Sequence, residues 1–259
     1  MRSAFTIAGR QGGFATAALH AGHDLRAEVA EIIALGDAER RHEEDPGTDL
    51  LTDVAPVQIV SHRSRFEVDL NRPRNQAVYR HANDAWGLDV WRRPPPEELI
   101  ARSLHVYDEF YEAAKRTFDA LAAAGQFLVL DVHSYNHRRD ASAQAAPEEE
   151  NPEVNVGTGT LDRTHWGPVV EPFVDELGGQ CVCGHRLDVR ENVRFRGGHF
   201  AHWTHERYPD AAVVLSVELK KVFMDEWSGE IDFEHLDQLR NALGVSAYAA
   251  LDALSRPAP

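Results

Sequence analysis

Three residues of this chain, His20, His133 and Glu218, sit where an apolar run meets polar residues. Phe14 to Leu19 is a compact apolar stretch ending at His20. Phe127-Leu128-Val129-Leu130 runs straight into Asp131-Val132-His133-Ser134, and the apolar run from Ala211 ends in Glu218-Leu219-Lys220. Two histidines and an acid can hold a catalytic zinc ion, which takes three protein ligands and keeps one position open for water. The ion brings the water's pKa near neutrality, so hydroxide is available at physiological pH. A separate carboxylate can then accept a proton and pass it to a leaving amine. An arbitrary histidine among the fourteen is more often a surface or hydrogen-bonded core residue. His133 departs from that expectation because Asp-x-His-Ser follows an apolar strand directly. A glutamate inside an apolar strand is costly unless paired or functional, so Glu218 either salt-bridges Lys220 or an arginine, or does chemistry.

The elements that must position these residues follow from periodicity. Strands are expected at Phe14 to Leu19, Val57 to Val60, Phe127 to Leu130 and Ala211 to Leu219. Asp24 can cap a helix with the apolar face Leu25, Val29, Ile32 and Ile33. After Pro94-Pro95-Pro96 the spacing predicts a long helix from about Glu97 to Ala124, stopped by Gly125. Tyr135 to Asn155 reads as a loop, Trp166 to Leu177 as a helix, and Phe233 to Leu254 as two helices broken at Gly244. Helices alternating with apolar strands argue an α/β fold, a mostly parallel or mixed central sheet with helices on both faces. Ligands in such sheets bind beyond the carboxyl ends of the strands. No internal repeat or linker divides the chain, so one domain over residues 1–259 is expected, with a helical C-terminal tail at about 232–255.

Composition narrows the function classes. The formal net charge of -15 repels nucleic acid and anionic membrane surfaces, so neither is an expected partner. No apolar run approaches the roughly 20 residues that span a bilayer, and no long apolar stretch follows Arg2 as a signal peptide requires. Cys181 and Cys183 are too close for a useful disulfide, and their spacing is not the usual zinc-binding one, so reduced thiols in a cytoplasmic protein are expected.

His20-Ala21-Gly22, Ser64-Arg65 through Asp69-Leu70-Asn71-Arg72, Asp131-Val132-His133-Ser134-Tyr135, Asn192 through Arg196-Gly197-Gly198, and Val217-Glu218-Leu219 with Phe223-Met224-Asp225-Glu226 occur in that order. Together they resemble the N-formylglutamate amidohydrolase family over about residues 15 to 227. The resemblance implies a zinc-carboxypeptidase-like α/β fold related to aspartoacylases. It also implies zinc-dependent hydrolysis of an N-formyl or N-acyl amino acid, a small anionic substrate.

Carried over, His20 and His133 match the metal-ligand histidines, with Asp45 the best match for the third ligand and Glu44 or His23 as alternatives. Glu218 matches the general acid/base. Arg65, Asn71 and Arg72 resemble a clamp for the substrate carboxylate, a task suited to arginine's planar fork, and Asp69 is placed to orient an arginine. Alternation with Phe66, Val68 and Leu70 predicts an extended segment bearing Arg65, Glu67, Asp69 and Asn71 on one face. His199, His202 and His205 recur every third residue, a pattern read mainly as histidine-rich composition. His20-Ala21-Gly22-His23 departs from the His-Ser-Gly common among formylglutamate enzymes, which puts the acyl group in question more than the metal chemistry. The rival readings are a peptidase or deacylase of the same fold and an inactive binding protein.

Overall fold

The computed structural model describes residues 3–9, 11–138 and 145–256. Its strands are β1 (Phe5–Ala8), β2 (Phe14–Ala18), β3 (Val57–Ser61), β4 (Phe127–Tyr135), β5 (Val154–Gly157), β6 (Cys181–Val182), β7 (His185–Arg186), β8 (Val189–Glu191) and β9 (Ala212–Lys220). The helices are α1 (Ala27–Ala30), α2 (Asp37–Glu43), α3 (Glu97–Ala124), α4 (Arg163–Gly179), α5 (His199–Arg207) and α6 (Phe233–Leu254). Seven strands form a mixed sheet in the order β1-β3-β2-β4-β9-β5-β8, and β6 and β7 form a separate hairpin. The central run β3-β2-β4-β9 is parallel throughout.

Helices cover both faces, as the pattern of the sequence predicts. On one face Leu128, Leu130, Val132, Val213 and Leu215 pack with residues of α4 and α6. On the other Phe127, Val129 and Val214 pack with Phe110, Phe118 and Phe200 of α3 and α5. Burying each of these phenylalanines contributes roughly 1.5–3 kcal/mol. The long helix α3 has the predicted limits. Glu97 and Glu98 lie in its first turn, where negative charge suits the helix dipole, and Gly125 ends it at φ +143°.

Three local expectations differ. Of the helix expected after Asp24 with Leu25 to Ile33 on its face, only Ala27–Ala30 forms, because the flanking backbone is taken by other segments: the Asp24 N–H donates to the His62 carbonyl (2.9 Å), and Ile33 bridges to Trp91. Helix α6 continues through Gly244, whose missing side chain faces Val54 at contact distance. Packing against α4 outweighs the glycine penalty of ~1 kcal/mol. Residues 64–71 form a turn in place of an extended segment, with the Glu67 N–H donating to the Ser64 carbonyl (2.9 Å). Glu67 therefore faces Arg26 and Arg63, away from Arg65 and Asp69. Of the loop expected at Tyr135 to Asn155, residues 139–144 lie outside the described residues, while Tyr135 ends β4, Glu148–Glu150 form a short helical turn and Val154 and Asn155 belong to β5. No helix among the described residues is long and apolar enough to cross a membrane.

Candidate active site

The chain places β3 on one side of β2 and β4 on the other, so the order of connection reverses between β2 and β4. A crevice opens at the carboxyl ends of strands flanking such a reversal. His20 follows β2 by two residues and His133 lies in the last turn of pleat of β4. Strand periodicity puts Asp131 and His133 on one face of β4, and in the neighbouring strand Glu218 registers directly beside His133. Asp45 arrives from the segment after α2, where its N–H donates to the His20 carbonyl at 2.9 Å.

The two imidazoles are oriented alike. His133 Nδ1 lies 3.0 Å and His20 Nδ1 3.5 Å from Asp45 Oδ2. Each Nε2 turns the other way: that of His133 lies 2.9 Å from Asp131 Oδ1, and that of His20 lies 2.7 Å from Asp69 Oδ1. A carboxylate on Nε2 fixes the proton there and leaves the Nδ1 lone pair aimed at the centre, the arrangement typical of metal-binding histidines. One ligand atom from each of His20, Asp45 and His133 lies within 4.8 Å of the others, and all three residues are buried. The donor set of two imidazoles and a carboxylate fits a divalent ion such as zinc. Burial pushes the Asp45 carboxyl upward, but hydrogen bonds and charge from His133 and His20 outweigh it and hold the group well below the usual range. Burial works against an imidazolium at His133, yet Asp131 and Asp45 raise its pKa well above normal.

Glu44 and His23, the alternatives for the third ligand, face elsewhere. Glu44 accepts from Ser64 Oγ and lies 2.5 Å from His23 Nδ1, and His23 Nε2 lies 3.0 Å from an Arg40 nitrogen.

A cavity of about 590 Å³ opens over this cluster, a size suited to a small molecule. Glu218 lines it, and desolvation pushes its pKa up to about 7, with His133 pulling down and Asp45 and Asp131 pushing up. A carboxyl so tuned can both accept and return a proton near neutral pH. The same tuning costs stability. In metal-free protein the folded state holds the Glu218 proton more tightly than the unfolded chain, so that contribution is complete below about pH 4.5 and is lost as pH rises through about 7. Metal-free Glu218→Gln should therefore gain melting temperature over wild type between about pH 5 and about pH 8, as followed by thermal denaturation in chelator. A difference independent of pH would contradict this environment for Glu218.

Of the expected clamp, Arg65 and Asn71 line the cavity, whereas Arg72 does not. Arg65 is held by Asp69 at 2.9 Å and lies over the Trp86 ring at 4.7 Å. Asp69 thus orients an arginine, as its position suggests, and also seats His20. Arg72 stacks on Tyr79 at 4.9 Å, with its Nε 3.7 Å from Asp69. Two arginines of the Asn192-to-Gly198 motif to which the sequence assigns no role, Arg194 and Arg196, line the cavity instead. Among the described residues neither has a carboxylate within 4.0 Å. Their strap is hung on Asn155, the neighbour of Glu218 in β5: its Oδ1 accepts from Arg194 N (2.8 Å) and its Nδ2 donates to the Phe195 carbonyl (2.8 Å). Gly157 and Gly198 permit this approach, because a Cβ on the first would lie 2.7 Å from Gly197 N and on the second 2.4 Å from Asn71 Nδ2. The available signal was the Arg-Phe-Arg alternation directly before Gly197-Gly198.

The histidines of α5 diverge. His202 is exposed beside Glu206, while buried His205 accepts from Val214 N at 2.9 Å and lies 3.0 Å from Thr160 Oγ1. Cys181 and Cys183 are free and exposed on the β6–β7 hairpin.

A crevice at a strand-order reversal, with buried histidines seated on carboxylates and a separate glutamate of raised pKa, has the layout of a hydrolase site. Comparison with known proteins makes that class specific. The family model described as N-formylglutamate amidohydrolase matches residues 16–223, and the chain belongs to this family. The matched span contains every residue discussed for the site, and the protein is an N-formylglutamate amidohydrolase-like hydrolase. Among solved structures, N-formylglutamate amidohydrolase from Ralstonia eutropha JMP134 superposes with a TM-score of 0.74 at 16% identity, covering 97% of this chain and 98% of its own. A gene product of Agrobacterium tumefaciens superposes with a TM-score of 0.70 at 17% identity, covering 98% and 97% respectively. A putative carboxypeptidase A from Shewanella denitrificans OS-217 is matched at a TM-score of 0.42 and 12% identity, covering 97% of this chain and 61% of its own. No curated protein matches the chain.

Proposed function

We propose that the protein is a zinc-dependent amidohydrolase that cleaves the amide bond of a small anionic N-formyl or N-acyl amino acid. The observation that carries this reading is the shared orientation of His20 and His133, each with Nδ1 toward Asp45 and Nε2 on a buried carboxylate. His20, Asp45 and His133 would hold the ion, which when bound supplies Lewis-acid activation of a water and of the amide carbonyl.

The remaining chemistry belongs to the chain. Glu218 takes the proton of the attacking water on its carboxylate and delivers it to the departing amine nitrogen. Arg65, fixed by Asp69 and Trp86 before any substrate arrives, offers a preorganised cation to the negative charge developing on the carbonyl oxygen. Arg194 and Arg196, which lack carboxylate partners among the described residues, receive the substrate carboxylate beside Asn71. Arg72 braces Arg65 through Tyr79 and Asp69, both of which hydrogen-bond Arg65. The two exposed free thiols suit a reducing, cytoplasmic setting.

Metal analysis of the purified protein, followed by a panel of N-formyl and N-acyl amino acids, tests the reading. Zinc at one equivalent and cleavage only of substrates with a free carboxylate are expected. Arg194→Ala and Arg196→Ala should each raise KM about 10–100-fold with metal content unchanged, the loss of a charge-assisted hydrogen bond of roughly 1.5–3 kcal/mol. Protein that takes up no divalent metal and cleaves no member of the panel would end the proposal.

A further inference from the structure

We infer that Lys221 is a positioning residue for the metal site, holding the backbone strap that delivers Asp45. The inference rests on the metal reading of His20, Asp45 and His133 given above.

Lys221 is only 1% exposed, yet among the described residues no carboxylate lies within 4.0 Å of its ammonium. Burying such a charge without an acid partner costs several kcal/mol unless other groups compensate. Both of the ammonium's hydrogen bonds run to backbone carbonyls, with the charges of Asp45, Glu43 and Glu226 acting from further off. Lys221 Nζ donates to the His42 carbonyl at 2.7 Å and to the Glu44 carbonyl at 2.8 Å. Arg65 Nη1 reaches the Glu43 carbonyl between them at 3.3 Å. Three successive carbonyls are thus pinned by two cations, and the next residue is Asp45.

This matters because Asp45 is held differently from its partners. His133 belongs to β4 and His20 follows β2, so the sheet fixes both. Asp45 lies beyond the end of α2, after Glu44 has turned extended at φ -82° and ψ 175°. The peptide unit that joins Glu44 to Asp45 is held at both edges: its N–H donates to the His20 carbonyl (2.9 Å) and its carbonyl accepts from Lys221 Nζ (2.8 Å). Lys221 is itself rooted in the sheet, since its N–H donates to the Tyr135 carbonyl at the end of β4 (3.0 Å). Three residues earlier the same segment carries Glu218. One strand end therefore sets both the proton-transfer carboxylate and, through Lys221, the metal-binding one.

Lys221→Met keeps the apolar stem and removes both donors. Supporting groups of metal ligands typically carry 10–100-fold in metal affinity. The zinc dissociation constant of Lys221→Met, read by chelator competition, should rise by about that factor, with KM of zinc-saturated enzyme close to wild type. Lys221→Gln, which keeps an N–H donor group on a shorter, uncharged side chain, should fall between the two and decides the matter if Lys221→Met does not fold. A folded variant that binds zinc as tightly as wild type overturns the inference. So does a raised KM at unchanged zinc affinity, which would make Lys221 a substrate contact. Failure of the wild type itself to bind zinc refutes the underlying metal reading, a distinct result.

Discussion

His133→Ala protein is expected to lose its metal and its turnover together. His133 Nδ1 is one of three donors converging on the centre, and its Nε2 sits on Asp131. Deleting a supporting group alone costs 10–100-fold in affinity, so deleting the donor itself should exceed about 100-fold. The change also strands Asp131 and Asp45, two buried carboxylates that lose a shared partner, at a cost of roughly 3–5 kcal/mol. A fall in melting temperature should accompany metal loss, and Asp131→Asn, which keeps the donor, separates the two effects. It should weaken metal binding about 10–100-fold yet leave measurable activity at saturating metal. His133→Ala protein retaining one equivalent of metal and normal turnover would remove the basis for the site.

Glu218→Gln should behave in the opposite way, with metal retained and catalysis lost. The substitution keeps shape and leaves the three converging donors untouched. It removes the only function the amide cannot perform, accepting a proton. General acid–base groups contribute typically 10²–10⁴-fold, so kcat should fall by about that factor while KM changes little. Metal content by elemental analysis and steady-state kinetics check both halves. Loss of metal from Glu218→Gln would move Glu218 into the coordination sphere, and undiminished turnover would take it out of the reaction.

How far these residues could be read from sequence depends on what fixes each one. His133 and Glu218 were legible because an apolar strand with an abrupt polar residue has few explanations, and strand periodicity then dictates which face they share. The long helix α3 was legible to its ends because three prolines and a glycine bracket its apolar stripe. Asp45 and Glu44 could not be separated by spacing. They are adjacent carboxylates, and only the backbone direction after α2 sends one to the histidines and the other to Ser64 and His23. The turn at 64–71 was hidden for the same reason: apolar alternation suits an extended segment, while a turn closed at Ser64 buries Phe66, Val68 and Leu70 equally well. Arg72 belonged to the most suggestive motif but was drawn aside by Tyr79, whereas Arg194 and Arg196 enter through a strap whose path depends on Asn155 and Gly157.

The centre at the strand-order reversal is assembled from segments far apart in the sequence, which is expected to make it form late in folding. Asp45 and His133 are 88 residues apart, and β4 and β9 are joined across α4, α5 and the shorter strands between. Pairings of such high sequence separation meet a large loop-closure entropy before any contact rewards them, and they form slowly. Local pieces such as α3 can form early without bringing any two of the converging donors together. The two histidines and Glu218 come together only when β2, β4 and β9 lie side by side, with Asp45 joining them from the segment after α2.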